Sequence, residues 1–378
     1  MLEWCHQHDV IYINTSVEHW EPYQNVEKLH PAKLTLYHRQ MHIQKLIDGW
    51  QHAGPTAIVD HGANPGLVSH FTKEALVEIA TKILREKPSD DRSKKIEAAL
   101  AADDFARLAQ LSGTKTIHIS ERDSQITSNP KKVNEFVNTW SVEGFIEEGM
   151  APAELGWGTH ERTQPICAMN HHSGPRNQIL LASRGIDTYV RSWVPSGPII
   201  GMVIRHGEAY GISDRLTVWH EGVALYRPTV HYAYCPSDSA IASLYELRMR
   251  NFEQQEHKRI LSDDIIDGKD EVGCLLMGHD FNAWWIGSSL DIHETRRLAP
   301  GQNATTLQVA ISVVAAAIYA INNPRRGVLL PDDIDHREIL KVAKPYLGEF
   351  ISMPTSWTPL YGPNTFFVFG KSVPDSHD

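Results

Sequence analysis

Two short apolar runs separated by a helical segment constrain the fold of this chain more than any other feature. Residues 10–14 and 56–59 have the length and composition of buried strands, and residues 31–50 have the periodicity of an amphipathic helix. Strands that alternate with helices in this way indicate β-α-β units. We therefore predict a parallel α/β sheet near the start of the chain.

A long helix is predicted directly after the second strand. Asn64 is a favourable N-cap residue and Pro65 suits the first helical position. Apolar side chains then recur at every fourth position, which predicts one buried stripe: Leu67, Phe71, Ala75, Ile79 and Ile83.

The middle of the chain is rich in strands and predicts a second unit. Short apolar runs recur from about residue 136 to residue 290, interrupted by one helical segment at residues 239–251. This pattern predicts an α+β domain on a mostly antiparallel sheet. A helix of small residues at 304–321 is expected to pack back on the first unit.

The charge balance favours a cationic ligand over a polyanionic partner. The chain has 46 acidic against 36 basic residues, a formal net charge of −10. This balance argues against nucleic acid or an anionic membrane as a partner.

The cysteines and the apolar stretches bear on the location of the protein. The four cysteines are far apart, as is usual in a reducing compartment. The longest apolar stretch, residues 309–321, is shorter than the ~18–20 residues that span a bilayer. We expect a cytoplasmic protein.

General catalytic motifs do not identify a reaction. The sequence contains no G-x-G-x-x-G, and the nearest candidate, Gly156-Trp-Gly158, continues as Thr-His-Glu, which cannot bring bare backbone against a pyrophosphate. No G-x-S-x-G elbow is present. His38 and His42 have helical spacing but lack the glutamate of a zinc protease motif, so no metal site is predicted.

Three segments combine carboxylates, aromatic residues and loop breakers near the ends of predicted elements: residues 15–22, 119–123 and 138–149. Strand ends in an open α/β sheet are where ligands usually bind. Acids beside a tryptophan suit an organic ammonium, because the carboxylates pair with its charge and the indole face attracts it. Solvated glutamates and a tryptophan buried in the core remain an alternative interpretation.

Several long blocks resemble the bacterial homospermidine synthases. They include Asp60-His-Gly-Ala-Asn-Pro-Gly-Leu-Val-Ser69, Phe136-Val-Asn-Thr-Trp-Ser-Val-Glu-Gly-Phe145 and Pro152-Ala-Glu-Leu-Gly-Trp-Gly158. Further blocks continue the resemblance in the same order along nearly the whole chain: residues 117–123, 226–234, 294–297 and 302–305. The resemblance implies the fold of the saccharopine dehydrogenase-like group, a Rossmann unit with an α+β substrate domain.

The resemblance also implies a division of the chain. Residues 1–62 would be the remainder of the dinucleotide-binding domain, residues 63–300 the substrate domain, and residues 301–378 a segment that packs back on the first. The strand, glycine-rich turn and helix that hold the pyrophosphate are expected upstream of residue 1. We therefore expect residues 1–378 by themselves to bind NAD weakly.

The reaction implied by the resemblance is an aminoalkyl transfer. Putrescine or spermidine is oxidised to an imine with NAD, the amine of putrescine captures the imine, and the same NADH reduces the product to homospermidine. The protein is expected to act as a homodimer.

The resemblance implies roles for particular residues. Trp140 would hold its ring against the cationic centre, and Glu121 and His231 would move protons. The amine groups would bind to acids and an amide: Glu18, Glu121, Glu148 and Asn64. The nicotinamide side of NAD would lie near Thr15, Ala63 and Asn64. Glu148 cannot be distinguished from Glu147 by sequence.

Two alternatives remain open. A carboxynorspermidine synthase-like enzyme would bind a substrate carboxylate and would need a basic side chain near Trp140, for which Arg122 is the nearest candidate. A non-catalytic polyamine-binding remnant is the other alternative.

Overall fold

The computed structural model describes residues 1–17 and 29–359, which fold into eleven α-helices and nineteen strands. The helices are α1 Leu2–Gln7, α2 Leu36–Asp48, α3 Leu67–Glu86, α4 Asp90–Ala101, α5 Phe105–Ser112, α6 Val142–Met150, α7 Glu208–Arg215, α8 Asp238–Met249, α9 Ile292–Leu298, α10 Ala304–Asn322 and α11 His336–Ala343. The strands are β1 Tyr12–Ile13, β2 Ala57–Ile58, β3 Thr116–Asp123, β4 Ile126–Thr127, β5 Glu135–Asn138, β6 Pro152–Gly156, β7 Ala168–Asn170, β8 Gln178–Arg184, β9 Tyr189–Val194, β10 Gly197–Met202, β11 Val218–His220, β12 Val223–Tyr226, β13 Thr229–Cys235, β14 His257–Ile260, β15 Ile265–Asp267, β16 Lys269–Met277, β17 Ala283–Asp291, β18 Val328–Leu329 and β19 Glu349–Thr355.

A small parallel sheet is formed by β1, β2 and β18, in that order. The helix α2 connects β1 to β2, and α10 packs against both strands. The β-α-β unit predicted for the start of the chain is therefore confirmed. In a parallel sheet the carboxyl ends of neighbouring strands lie at the same edge, where ligands commonly bind.

The second, larger sheet has ten strands. Its main path runs β19-β17-β16-β3-β13-β6-β8-β7, with β10 paired to β13 and β9 paired to β10. Only β3 and β13 are parallel among these described pairs, and the others are antiparallel. The prediction of a mostly antiparallel sheet is therefore confirmed.

The helix α3 covers one face of this sheet, where it contacts β16 and β17. The five side chains of its predicted stripe are all fully buried: Leu67, Phe71, Ala75, Ile79 and Ile83. Burying a leucine, isoleucine or phenylalanine side chain contributes about 1.5–3 kcal/mol, so this face anchors the helix to the sheet.

Several predicted boundaries differ from the structure. The helix α3 begins at Leu67 with Gly66 as its N-cap, so the prediction that Asn64 caps it is wrong. Gly66 has a φ of 131°, a backbone conformation that glycine adopts readily and other residues rarely do. The chain therefore turns into the helix at Gly66 and not at Asn64. The apolar run that begins near residue 136 forms the short strand β5, which ends at Asn138. The strands β18 and β19 lie beyond residue 290, where no strand was predicted.

The C-terminal part of the chain is shared between the two sheets. The helix α10 packs on the small sheet and β18 is one of its strands, whereas β19 forms an edge of the large sheet. Residues 360–378 lie outside the described part. Within the described residues α10 is long and apolar enough to cross a bilayer by composition, but 56% of its apolar window is buried inside the fold.

Candidate functional site

One cavity of about 400 Å³ lies where the two sheets meet. Loops that follow β1 and β2 form one side of it, and residues from β3, α6 and α10 form the others. Six of the predicted site residues line this single cavity: Thr15, Ala63, Asn64, Glu121, Trp140 and Glu148.

Glu121 is the most deeply buried acid of the cavity wall. Its side chain lies near the end of β3 and the residue is only 3% exposed. One carboxylate oxygen, Oε2, accepts hydrogen bonds from the Tyr232 hydroxyl at 2.5 Å and from the Asn64 amide at 2.6 Å. Burial, together with the charge of Asp123, raises the pKa of Glu121 from 4.5 to about 7, although both hydrogen bonds oppose this rise.

Trp140 is held on one edge by its neighbours. It lies between β5 and α6, and its Nε1 donates to the hydroxyl of Tyr234 at 3.0 Å. The indole also packs on Phe145, with 5.4 Å between ring centroids. Tyr232, which donates to Glu121, stacks on Tyr234 at 5.2 Å between ring centroids, so a cluster of aromatic rings adjoins the carboxyl of Glu121. This arrangement can bind an organic cation between a carboxylate and π faces.

The structure separates the two neighbouring glutamates of α6. Glu148 lines the cavity, whereas Glu147 is bound by two buried arginines. The distance from Glu147 Oε1 to Arg39 Nη2 is 2.7 Å, and Arg205 contacts the same oxygen. Burial alone would raise the pKa of Glu147, but the two guanidinium charges outweigh it and the pKa is lowered. Glu147 is therefore an ion-pair residue of the interior.

His206 also lines the cavity, and our sequence reasoning missed it. Its Nε2 lies 3.8 Å from Oε2 of Glu148, and its ring packs edge-on against Tyr232 at 4.2 Å. Burial lowers the pKa of His206 to about 3, so the imidazole is neutral at pH 7. The run Arg205-His-Gly-Glu208 follows an apolar strand, and this strand-end signal could have identified it.

His231 is not among the residues that line the cavity. Successive side chains of a strand point to opposite faces, and in β13 Tyr232 faces the cavity. The His231 ring packs on His118 instead, with 4.3 Å between centroids. His231 therefore lies outside the cavity, which corrects its predicted place in the site.

Glu18 lies in residues 18–28, outside the described part of the chain. Within residues 1–17 and 29–359, no group of three or more histidine, cysteine, aspartate or glutamate residues is arranged to hold a metal ion.

Comparisons with known proteins bear on this geometry. Residues 62–355 match the saccharopine dehydrogenase C-terminal domain family. The homospermidine synthase of Blastochloris viridis is 43% identical over 364 residues, which cover 96% of this chain and 74% of that protein. The chain belongs to the homospermidine synthase family. The homospermidine synthase of Mesorhizobium japonicum is 42% identical over 367 residues, covering 95% of this chain and 73% of that protein.

A solved member of the homospermidine synthase family has the same fold. The crystal structure of the Legionella pneumophila enzyme in complex with NAD superposes with a TM-score of 0.85 at 40% identity, covering 99% of this chain and 77% of that chain. The predicted family, fold class and enzyme class are confirmed.

Proposed function

We propose that the chain catalyses the homospermidine synthase reaction in the cavity lined by Glu121, Trp140 and Glu148. In this reaction a carbon of the aminobutyl group that bears an amine nitrogen of putrescine or spermidine is oxidised to an imine, and NAD⁺ accepts the hydride. The amine of a second putrescine adds to that carbon, ammonia leaves from putrescine or 1,3-diaminopropane from spermidine, and the hydride returns from NADH to give homospermidine. The observation that carries the proposal is that two acids and an indole, from two separate segments of the chain, line one cavity.

NAD would bind beside the loops that follow the small parallel sheet. Thr15 follows β1 and Ala63 follows β2, so both lie at the carboxyl edge of parallel strands, where dinucleotides bind. A Cβ at Gly62, between these loops, would lie 3.2 Å from the Pro65 carbonyl oxygen, so bare backbone forms this wall. NAD, when bound, supplies a reversible hydride acceptor. The Legionella pneumophila complex with NAD supports this assignment.

Glu121 would accept a proton from the reacting ammonium. A carboxyl whose pKa is about 7 exchanges protons readily near neutral pH, and the Asn64 amide keeps its carboxylate oriented. Asn64 would thus act on the substrate through Glu121. The face of Trp140 would stabilise the iminium cation, an interaction that contributes about 2 kcal/mol when desolvated.

Glu148 would bind the distal amine of the diamine at the other end of the cavity. His206, which is neutral and lies 3.8 Å from Glu148, would orient the amine that attacks the imine through a hydrogen bond, since a pKa of about 3 makes it too weak a base to take the proton. The low exposure of these residues keeps water from hydrolysing the imine: Glu121 is 3% and His206 6% exposed.

One observation argues against a carboxynorspermidine synthase-like reaction. No lysine or arginine is among the described residues that line the cavity. Arg122, the candidate for a carboxylate clamp, donates to Sγ of Cys235 at 2.8 Å and pairs with Asp238. Adjacent strand residues point to opposite faces, so Arg122 and Glu121 do not share a pocket.

The deciding experiment is a product analysis. The protein, expressed from its full reading frame, is incubated with putrescine and NAD⁺, and amines and NADH are measured together. We expect homospermidine to form without net accumulation of NADH. Binding of putrescine without any product would support the polyamine-binding alternative, and NADH that accumulates with turnover would indicate a simple amine dehydrogenase. Light scattering tests the homodimer, which, like the cytoplasmic location, stays a prediction.

A further inference from the structure

Gly144 occupies the position in α6 that lies between the two proposed ends of the substrate. Ser141, Gly144 and Glu148 all line the cavity, and spacings of three and four residues place them on one face of the helix. The helix rises about 1.5 Å per residue, so Gly144 and Glu148 are separated by roughly 6 Å along its axis. A chain that extends from the indole of Trp140 to Glu148 therefore passes over Gly144.

The missing side chain of Gly144 leaves space for the indole. A Cβ at this position would lie 3.2 Å from Cζ3 of Trp140 and 3.2 Å from Oγ of Ser141, which is closer than side-chain carbons normally approach. Ser141 Oγ cannot move freely, because it accepts a hydrogen bond from the Gly144 amide at 3.0 Å. A Cβ would therefore push against the indole.

Trp140 has little freedom to retreat from such a contact. Its Nε1 edge is bonded to Tyr234, and Cζ3 lies on the opposite edge of the indole, against Gly144. The ring is therefore held between Tyr234 on one edge and the first turn of α6 on the other. A displacement of a few tenths of an ångström would either weaken the hydrogen bond to Tyr234 or move the ring into the cavity.

The backbone gives no reason for glycine at this position. The φ of Gly144 is not among the positive values of the chain, and alanine is the better helix former. Gly149 in the same helix differs, because a Cβ there would meet Cγ2 of Ile186 at 2.5 Å, away from the cavity.

We propose that Gly144 positions Trp140 and determines which diamines the cavity accepts. Its lack of a side chain lets the indole pack against α6 with one face open to the cavity. It also leaves a passage for the unbranched methylene chain of the diamine from Trp140 to Glu148. This inference rests on the proposed function, since it requires that Trp140 and Glu148 bind the two parts of an amine substrate.

The test compares Gly144→Ala and Gly144→Val with the wild type on propane-, butane- and pentane-diamine. Displacements below 1 Å in an active site cost on the order of 10- to 100-fold in rate. We expect kcat/KM for butane-diamine to fall about 10-fold in Gly144→Ala and about 100-fold in Gly144→Val. The ratio of kcat/KM between the diamines should change as well, which a merely structural role would not produce. The Tm of Gly144→Ala should not fall, because alanine favours the helix.

The matched control is Gly149→Ala. It disturbs packing in the same helix outside the cavity, so we expect a lower Tm with unchanged kcat/KM and an unchanged preference among diamines. Wild-type kcat and KM in Gly144→Ala for all three diamines would overturn the inference while leaving the proposed function intact. A wild-type enzyme that forms no homospermidine would overturn both, and the two failures are therefore distinguishable.

Discussion

Replacing Glu121 with glutamine should change how the stability of the protein depends on pH. In the folded protein, burial and the charge of Asp123 raise the pKa of Glu121 from 4.5 to about 7. In the unfolded chain the same carboxyl is hydrated and ionises near its ordinary value. The folded state therefore keeps a proton over a range of pH in which the unfolded state has already lost it.

The sign and size of the effect follow from this difference in proton binding. The folded state binds more protons between these two pKa values, so stability falls as the pH rises through that interval. The pKa of Glu121 rises from 4.5 to about 7, and each tenfold change in the acid dissociation constant is equivalent to about 1.4 kcal/mol. The free energy of unfolding should therefore fall by about 3 kcal/mol across this interval. The contribution of neutral Glu121 is fully present below pH 4.5 and is lost above about pH 7. A glutamine has no proton to lose, so the variant avoids this destabilisation.

The assay is urea unfolding of the wild type and of Glu121→Gln at about pH 4 and about pH 8. Glu154 and Asp332 also have raised pKa values, caused mainly by burial, but they are present in both proteins and cancel in the difference. Relative to the wild type, the variant should become more stable by about 3 kcal/mol between the two pH values. It should also lose turnover, because it cannot accept a proton.

A stability difference that stays constant from about pH 4 to about pH 8 would refute this reasoning. It would mean that Glu121 ionises equally easily in the folded and unfolded states, and the physical basis for its role as a proton acceptor near neutral pH would be lost.

Three further predictions concern the other groups of the site. In steady-state kinetics, Trp140→Ala should lower kcat about 30-fold with little change in KM, because the indole contributes ~2 kcal/mol of cation stabilisation mainly when the iminium forms. A change confined to KM would contradict this prediction. Glu148→Gln should raise the KM for putrescine about 10-fold and leave the stability unchanged. Glu147→Gln should instead lower the free energy of unfolding by about 3 kcal/mol, because it leaves two buried arginines without their acid. Equal behaviour of the two variants would disprove the distinction between these glutamates. His206→Gln should lower kcat at least about 10-fold, because the attacking amine loses the imidazole that orients it, and His231→Gln should not. The reverse result in the same assay would place the functional histidine on the other face of the sheet.

The strongest local patterns were predictable from sequence because they depend on neighbours along the chain. The stripe from Leu67 to Ile83 repeats with the period of a helix and packs on the large sheet. The combination of acids and aromatic residues marked the segments 119–123 and 138–149. Within them, the resemblance to the family singled out Glu121, Trp140 and Glu148, and all three line the cavity.

Other features of the site were not predictable because they depend on which face a side chain occupies. His231 and Tyr232 are adjacent in sequence, yet only Tyr232 reaches the cavity. The alternation of a strand gives two possible faces, and packing of β10 and β3 beside β13 decides between them. Glu147 and Glu148 differ for a similar reason, since Glu147 pairs with the guanidinium groups of Arg39 and Arg205 whereas Glu148 lines the cavity.

The sequence by itself determined the alternation of helices and strands, the buried stripe of α3, the acidic character of the site and, through long similar blocks, the family. These properties are written in local periodicity and composition, which the chain carries before it folds. Only the tertiary structure decided that loops after β1 and β2 meet β3, α6 and α10 around one cavity, and that Gly144 and His206 belong to it. Those outcomes depend on contacts between residues far apart in sequence, and such contacts exist only when the two sheets have packed together.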